Sequence, residues 1–344
     1  MAIIRIASYV SRSVHYDKKR ALRLTIASRA DRRYTDHMRM ILTGTGTSHG
    51  VPAISCHCSV CTSLDPKDKR FRCSAYISHR NADGSETHIV IDTGPEFRIQ
   101  ALTHHIDSLD AVLLTHAHAD HIAGLDDLRI YSHTKSEGAL CGTHRAETDE
   151  SPGEGLSVYA DENTISGIQK RFDYIFTPTQ IGGGKPKLHL INASRFSGKK
   201  PLYIGEMRAI PIPMFHGDLQ TTGWLLSVPV GASFRSIAYL TDCNRIPESS
   251  IETLVAYGGH IEHAVIDGLR EKPHATHFSY FQAMEAASFI RPRHTWLTHM
   301  SHDMSHADIT RYCIRRAEDI PALSKIAKAG GSVLPAYDGL ALDV

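Results

Sequence analysis

The chain places three imidazoles and a carboxylate within Thr115-His116-Ala117-His118-Ala119-Asp120-His121, directly after the apolar run Ala111-Val112-Leu113-Leu114. A buried strand opening into dense ligands describes a metal site built on a rigid edge. Even with 23 histidines in 344 residues, chance does not readily put His at relative positions 1, 3 and 6 with Asp at 5. His116 and His118 alternate along an extended segment and share a face, so both can serve one metal. Asp120 and His121 come one tight turn later and can face a second metal beside it. One segment cannot complete two metals, so the fold has to bring other strand ends to the same rim.

Three later positions supply the remainder. His216, in Met214-Phe215-His216-Gly217-Asp218, follows the strand-like run Ala209–Ile212 and reads as the third imidazole of the first metal. Asp242 closes Ala238-Tyr239-Leu240-Thr241-Asp242, where a carboxylate with two oxygens can bridge both metals and a neutral imidazole could not. His299, after Thr295-Trp296-Leu297-Thr298, completes the second metal. His216 or His299 alone reads as an ordinary surface or core histidine; their order and their places at strand ends make the set. Imidazole and carboxylate donors suit a pair of divalent ions, Zn2+ or Mn2+.

Seven cysteines, unevenly spread, do not form a secreted disulfide framework. Three cluster as Cys56-His57-Cys58-Ser59-Val60-Cys61, which in a reduced compartment reads as metal binding and favours a cytoplasmic location. Thiolates at that spacing can reach three corners of one tetrahedral Zn2+. A net charge of +1 gives no global field for nucleic acid or membrane surfaces. No apolar stretch approaches the roughly 20 residues that span a bilayer. Hydrophobic content of 42% with 22% charged residues is ordinary for a globular protein.

Residues 1–37 are rich in Arg, Lys and Ser and read as an extension, disordered or poorly packed, ahead of the strand Met40-Ile41-Leu42. An upstream start before Met38 or Met40 accounts for such a segment; a mitochondrial transit peptide is the alternative. Residues 38–344 are expected to form one hydrolase domain. Strands are expected at Ile89–Ile91, Ala111–Leu114, Ser157–Tyr159, Ala209–Ile212, Trp224–Val228, Ile237–Leu240, Ala264–Ile266 and Thr295–Leu297. Many end in a polar residue able to carry chemistry: Asp92, His116, Asp242, Asp267, His299. Helices are expected at Glu162–Phe172, Pro247–Tyr257 and Ser279–Ile290, the last with Ser279 as N-cap and Gln282 three residues on. Ser132–Gly155 is a polar insertion, and its His133, Cys141 and His144 read as loop residues. Gly182-Gly183-Gly184 lacks the context of a phosphate loop and reads as a turn.

The ordered set His-x-His-x-Asp-His, later His, Asp and final His resembles the metallo-β-lactamase superfamily, from about Met40 to the C-terminus. The resemblance implies an α/β fold, an αββα sandwich of two facing mixed sheets with the metals at its wide rim. It gives Asp92 a place behind the ligands, orienting the site; an Asx turn before Gly94 is the bland reading, and the two can hold together. Gly44-Thr45-Gly46-Thr47-Ser48-His49-Gly50 followed by Cys-x-Cys-x-x-Cys is similar to the phosphoribosyl 1,2-cyclic phosphate phosphodiesterase family. That resemblance implies a structural Zn2+ held by Cys56, Cys58, Cys61 and His302, with His57 as the alternative fourth ligand. It also implies that His277, in His274-Ala275-Thr276-His277-Phe278-Ser279, is the general acid. His274 is its rival, and a capping role at the helix entry is the bland alternative. Asp338 resembles the family's C-terminal turn.

The activity so implied is metal-dependent hydrolysis of a small cyclic phosphodiester, phosphoribosyl 1,2-cyclic phosphate being the sharpest case. Asp120 and Asp242 hold the metal pair and its hydroxide, and His277 protonates the leaving oxygen. A small-molecule substrate leaves nucleic acid and membranes unfavoured as partners, with a homodimer compatible. A tRNA 3′-processing endonuclease shares the metal site, but the insertion carries Glu137, Glu147, Asp149, Glu150 and Glu154 against Lys135 and Arg145, which would repel phosphates. Thioester or lactam hydrolysis gives the cysteine cluster no place. A non-catalytic metal-binding module would predict a lost ligand, and none is missing.

Overall fold

The computed structural model describes residues 38–133, 155–177 and 184–344. The N-terminal extension 1–37, most of the polar insertion with Cys141 and His144, and Gly182-Gly183 lie outside the described residues.

The strands are β1 (Arg39–Gly44), β2 (Ser74–Arg80), β3 (Glu86–Ile91), β4 (Ala111–Leu113), β5 (Leu156–Ala160), β6 (Leu188–Asn192) and β7 (Leu202–Ile204). They continue as β8 (Met207–His216), β9 (Leu219–Val230), β10 (Ser233–Leu240), β11 (His260–Asp267), β12 (His294–Thr298), β13 (Ser332–Pro335) and β14 (Leu340–Asp343). They form two seven-stranded sheets, ordered β14-β1-β2-β3-β4-β5-β6 and β13-β12-β11-β10-β9-β8-β7. In the first sheet β14, β1, β2 and β3 pair antiparallel, and β3 through β6 run parallel. The second sheet repeats the plan: β7 through β10 pair antiparallel and β10 through β13 run parallel. This is the expected sandwich of mixed sheets.

Three apolar layers hold it. Between the sheets, Met40, Leu42, Ile77, Ile89 and Leu113 meet Trp224, Leu226, Ile237, Tyr239 and Val265. The outer face of the first sheet, with Val90, Val112 and Val158, is covered by Phe97, Ile122, Leu128 and Ile168. The outer face of the second, with Ile212, Leu240 and Ile266, is covered by Leu254, Met284, Ala287, Ile309 and Leu323. Parallel strands covered on both faces lose polar alternation, which is why β4 and Ala264-Val265-Ile266 read as unbroken apolar runs. The helix Tyr280–Ile290 starts with a reciprocal cap: Ser279 Oγ accepts from Gln282 N at 3.3 Å and Gln282 Oε1 accepts from Ser279 N at 2.9 Å.

Two devices join the sheets at one rim. Trp224 is fully buried and its Nε1 donates to Leu114 O at 3.3 Å, while Thr222 N donates to Thr115 O at 2.8 Å. Thr47 N donates to Met300 O at 3.2 Å and Met300 N to Thr45 O at 3.0 Å. Because β8, β10, β11 and β12 share one direction, their C-terminal ends reach this rim together.

Candidate active site

The carboxyl ends of β3, β4, β8, β10, β11 and β12 deliver Asp92, the His116–His121 segment, His216, Asp242, Asp267 and His299. Asp92, Asp242 and His299 adopt left-handed backbone conformations, with φ of 59°, 56° and 59°. Non-glycine residues seldom rest there, and such strain gathers where a side chain must leave a strand in a fixed direction. Gly94 meets a different demand. A Cβ on it would lie 2.2 Å from Asp120 O, so only glycine lets the loop after β3 press against the segment that carries Asp120.

The structure brings all seven rim residues together. The ring of His116 lies 4.4 Å from that of His118 and 5.8 Å from that of His216; His118 and His216 are 5.2 Å apart. Asp120, His121, Asp242 and His299 each offer a ligand atom, and these all lie within 4.8 Å of one another. Asp242 stands between the two groups. Its Oδ2 is 3.2 Å from His121 Nε2, and its Oδ1 is 3.2 Å from His299 Nε2 and 3.9 Å from His116 Nε2.

The far sides of the rings are fixed. His121 Nδ1 hydrogen-bonds Asp92 Oδ2 at 2.7 Å, His116 Nδ1 hydrogen-bonds Thr115 Oγ1 at 3.0 Å, and His216 Nδ1 donates to Thr276 O at 2.7 Å. Asp92 also accepts from Thr115 N and Thr115 Oγ1, both at 2.8 Å, so its carboxylate reaches across to the histidine loop and does not close an Asx turn. The Nε2 atoms of His116, His121 and His299 are buried and have no hydrogen-bond partner among the described residues. Orphaned ring nitrogens aimed at shared carboxylates, with anchored rings behind them, are the donor pattern of a divalent-metal pocket, and the residues fit one.

The charges balance within the cluster. Burial works against the charged forms of Asp120 and Asp242, yet His121 (and His299 for Asp242) holds both carboxyls below their ordinary range, Asp242 far below. Burial alone would depress His121 and His299, but Asp242 pushes both up, and Asp92 adds to the effect on His121. His116, His118 and His216 are drawn down by burial, His116 furthest. Neutral imidazoles at His116, His118 and His216 and ionised carboxylates between the groups suit metal coordination, and the protons that the carboxylates favour on His121 and His299 are those a metal ion would displace.

His277 stands beside this cluster. Its ring is 4.4 Å from that of His216 and 4.5 Å from that of His299, and its Nδ1 pairs with Asp267 Oδ2 at 2.8 Å. The cap of the following helix is Ser279, so His277 does not serve that end. His274, the rival, is exposed, with its Nδ1 on Thr276 N at 3.3 Å. The sequence reading marked Asp267 as a strand end without giving it a partner, and it passed over Thr115. Both were findable as polar residues abutting a strand end.

A second donor cluster lies nearby. Cys56, Cys58, Cys61 and His302 hold ligand atoms within 4.8 Å of one another, and His302 Nδ1 is 3.3 Å from Cys56 Sγ and 3.4 Å from Cys58 Sγ. His57 is exposed and outside it. The backbone N–H of Cys61 and the His302 ring pull the Cys58 thiol down to about 6, while burial pushes Cys61 up to about 11. Arg70, buried to 1% exposure, fastens the cluster to the rim. It ion-pairs with Asp68 at 3.4 Å and donates to Ser301 O and to Met304 O. Asp338 braces the same loops, accepting from Thr45 Oγ1 and Phe71 N, each at 2.7 Å.

A family profile described as a β-lactamase superfamily domain matches residues 87–300, which contain every rim residue. The chain belongs to this superfamily. Within the superfamily, the crystal structure of a new diphosphatase from the PhnP family is similar at 32% identity, over 89% of this chain and 98% of that one, with a TM-score of 0.66. Zn2+-bound PqqB from Methylobacterium extorquens has 15% identity and a TM-score of 0.59 over 89% of this chain and 100% of that one, a likeness of fold. An octanoyltransferase of Porphyromonas gingivalis is 36% identical over 266 residues, 77% of this chain. The chain spans 46% of that protein's length.

Proposed function

We propose that the chain is a metal-dependent phosphodiesterase acting on a small cyclic phosphodiester, with phosphoribosyl 1,2-cyclic phosphate as the leading substrate. The observation that carries this reading is His277. Its Nδ1 is taken by Asp267, which leaves Nε2 as the ring nitrogen open to a substrate beside the rim cluster. A thioester hydrolase, which expels a thiolate, has less need of a dedicated donor than a reaction that expels an alkoxide.

His116, His118 and His216 would hold one divalent ion, Asp120, His121 and His299 the other, and Asp242 would touch both. When bound, such a pair supplies Lewis acidity and a water acidic enough to act as nucleophile at neutral pH. The chain's own residues do the rest. Asp92 and Thr115 keep His121 and His116 from rotating, Asp242 holds the two ligand groups in register, and His277 delivers a proton to the departing oxygen. The cysteine cluster would take one structural Zn2+, at a distance from the reacting phosphorus. The similarity to a diphosphatase supports the assignment, since both reactions cleave a P–O bond with an oxygen leaving group.

Octanoyl transfer, suggested by the Porphyromonas gingivalis relative, has less behind it. Covalent acyl transfer needs a reactive nucleophile. Burial pushes the Cys73 thiol near the rim to about 12 and Cys243 well above its usual range, and Cys58, the thiol drawn down to about 6, sits among the donors of the cysteine cluster with Cys56, Cys61 and His302.

The test is a panel of ribose cyclic phosphate, an organic diphosphate, a pre-tRNA and an octanoyl thioester, run on the wild type and Asp242→Ala. Cyclic phosphate turnover lost in the variant is expected. Turnover that survives in Asp242→Ala sinks the reading.

A further inference from the structure

The strand-end carboxylate Asp267 has no part in the ligand set, yet it is fully buried at the rim. Its Oδ2 accepts from Cys243 N at 3.1 Å and pairs with His277 Nδ1 at 2.8 Å. Its Oδ1 is buried and has no hydrogen-bond partner among the described residues. A buried carboxylate is costly unless its partners return the loss, and among the described residues the His277 ring is the one side chain that hydrogen-bonds it.

We propose that Asp267 is a positioning residue, acting through His277 and resting on the phosphodiesterase reading above. It fixes the ring by one nitrogen, so that the other, Nε2, faces the reacting phosphate's leaving oxygen. Cys243 N donates to the same oxygen and follows Asp242 by one residue, so the aim of the donor and the place of the carboxylate between the two ligand groups share one backbone turn. His277 in turn stacks on His299 with an interplanar angle of 18°. Its ring is therefore held at an edge by Asp267 and across a face by His299, and the remaining freedom is rotation about the Nδ1 anchor.

Asp267, His277 and His299 also offer atoms within 4.8 Å of one another, which could suggest a further metal position. The 2.8 Å hydrogen bond to Asp267 already occupies His277 Nδ1, and the backbone N–H of Cys243 already donates to the same carboxylate oxygen. A positioning contact accounts for both.

The experiment is a double-variant cycle with Asp267→Asn and His277→Ala, assayed on an alkyl cyclic phosphodiester and on a p-nitrophenyl phosphodiester, with metal content measured for each protein. Asp267→Asn is expected to lose on the order of 10²-fold in kcat on the alkyl substrate and far less on the p-nitrophenyl one, with metal content unchanged. The double variant should be no slower than His277→Ala alone, because the two residues act as one unit. Multiplying losses, equal losses on both substrates, or wild-type rates in Asp267→Asn would overturn the proposal. A readout independent of turnover separates it from the broader reading. In 15N-histidine spectra of the zinc-loaded protein, the hydrogen-bonded Nδ1 proton of His277 should be visible in the wild type and lost or shifted in Asp267→Asn. An unchanged signal overturns the positioning role; absent phosphodiester turnover in the wild type overturns only the reading of the substrate.

Discussion

Asp92 and His121 are both fully buried and joined by a 2.7 Å hydrogen bond between Oδ2 and Nδ1, on a backbone that holds Asp92 at φ 59°. Three donors converge on this one carboxylate: Thr115 N, Thr115 Oγ1 and the His121 ring. Removing it frees the ring that faces both Asp120 and Asp242. Asp92→Ala is expected to weaken metal binding at the rim by roughly 10–100-fold. Titration with a competing chelator reads this; unchanged affinity would show that the contact orients nothing.

Gly94 tests the same loop by size alone. The Cβ of Gly94→Ala would meet Asp120 O at 2.2 Å, so the segment carrying Asp120 has to move. A displacement near 1 Å in a catalytic group costs about 10²-fold in rate. The expected outcome is a folded protein with a loss of that order in kcat. Wild-type kcat in a folded Gly94→Ala would contradict the close approach.

Much of the rim was legible in the sequence because its ligands sit at the ends of apolar runs, and an apolar run before a polar residue is visible without a structure. The same signal located β3, β4, β5, β8, β9, β10, β11 and β12. It failed for β2, whose Ser-Ala-Tyr-Ile-Ser-His-Arg mixes polar and apolar residues although most are buried, and for the short edge strands β6, β7, β13 and β14. The helix His306–Ala317 was also unread, although Ile309, Tyr312, Cys313 and Ala317 line its buried side at helical spacing. Asp267 was visible as a strand end, but its role was hidden for another reason. Its meaning depends on His277, which reaches it only after the loop of residues 268–279 folds back, and no local spacing encodes that.

Trp224 ties the inter-sheet core to the rim through its bond to Leu114 O. Trp224→Phe keeps most of the apolar volume but leaves that buried carbonyl short of a donor, at a cost of about 1–3 kcal/mol. Urea unfolding should show the midpoint fall by the corresponding amount. An unchanged midpoint would mean that the bond contributes nothing.

Burial raises the Asp338 carboxyl to about 7, against the opposing bonds from Phe71 N and Thr45. A carboxyl raised in the fold favours the neutral form there. Its contribution to stability is complete below the unfolded value of 3.8 and is lost as pH rises through about 7. In Asp338→Asn the amide oxygen can still accept from Phe71 N while the hydroxyl of Thr45 accepts from the amide. The wild type should therefore lose stability relative to Asp338→Asn between pH 4 and 8, by on the order of a few kcal/mol. Chemical unfolding at several pH values measures the difference; parallel curves would contradict it.

The cysteine cluster and the rim are expected to load separately. Cys58→Ser should lower the metal content by one ion per chain and leave the rim pair bound, since His302 and His299 belong to different donor groups. Loss of all metal from a folded Cys58→Ser would show that the two sites fill as one.

The proposed function requires that one rim of the sandwich hold a metal pair that hydrolyses phosphodiesters. Metal analysis of the purified chain, with ribose cyclic phosphate turnover measured on the same sample, tests it most directly. Three ions per chain are expected, two of them removed by Asp242→Ala together with all turnover. A wild-type chain that binds metal only at its cysteines, or an Asp242→Ala variant that still turns over substrate, would contradict it.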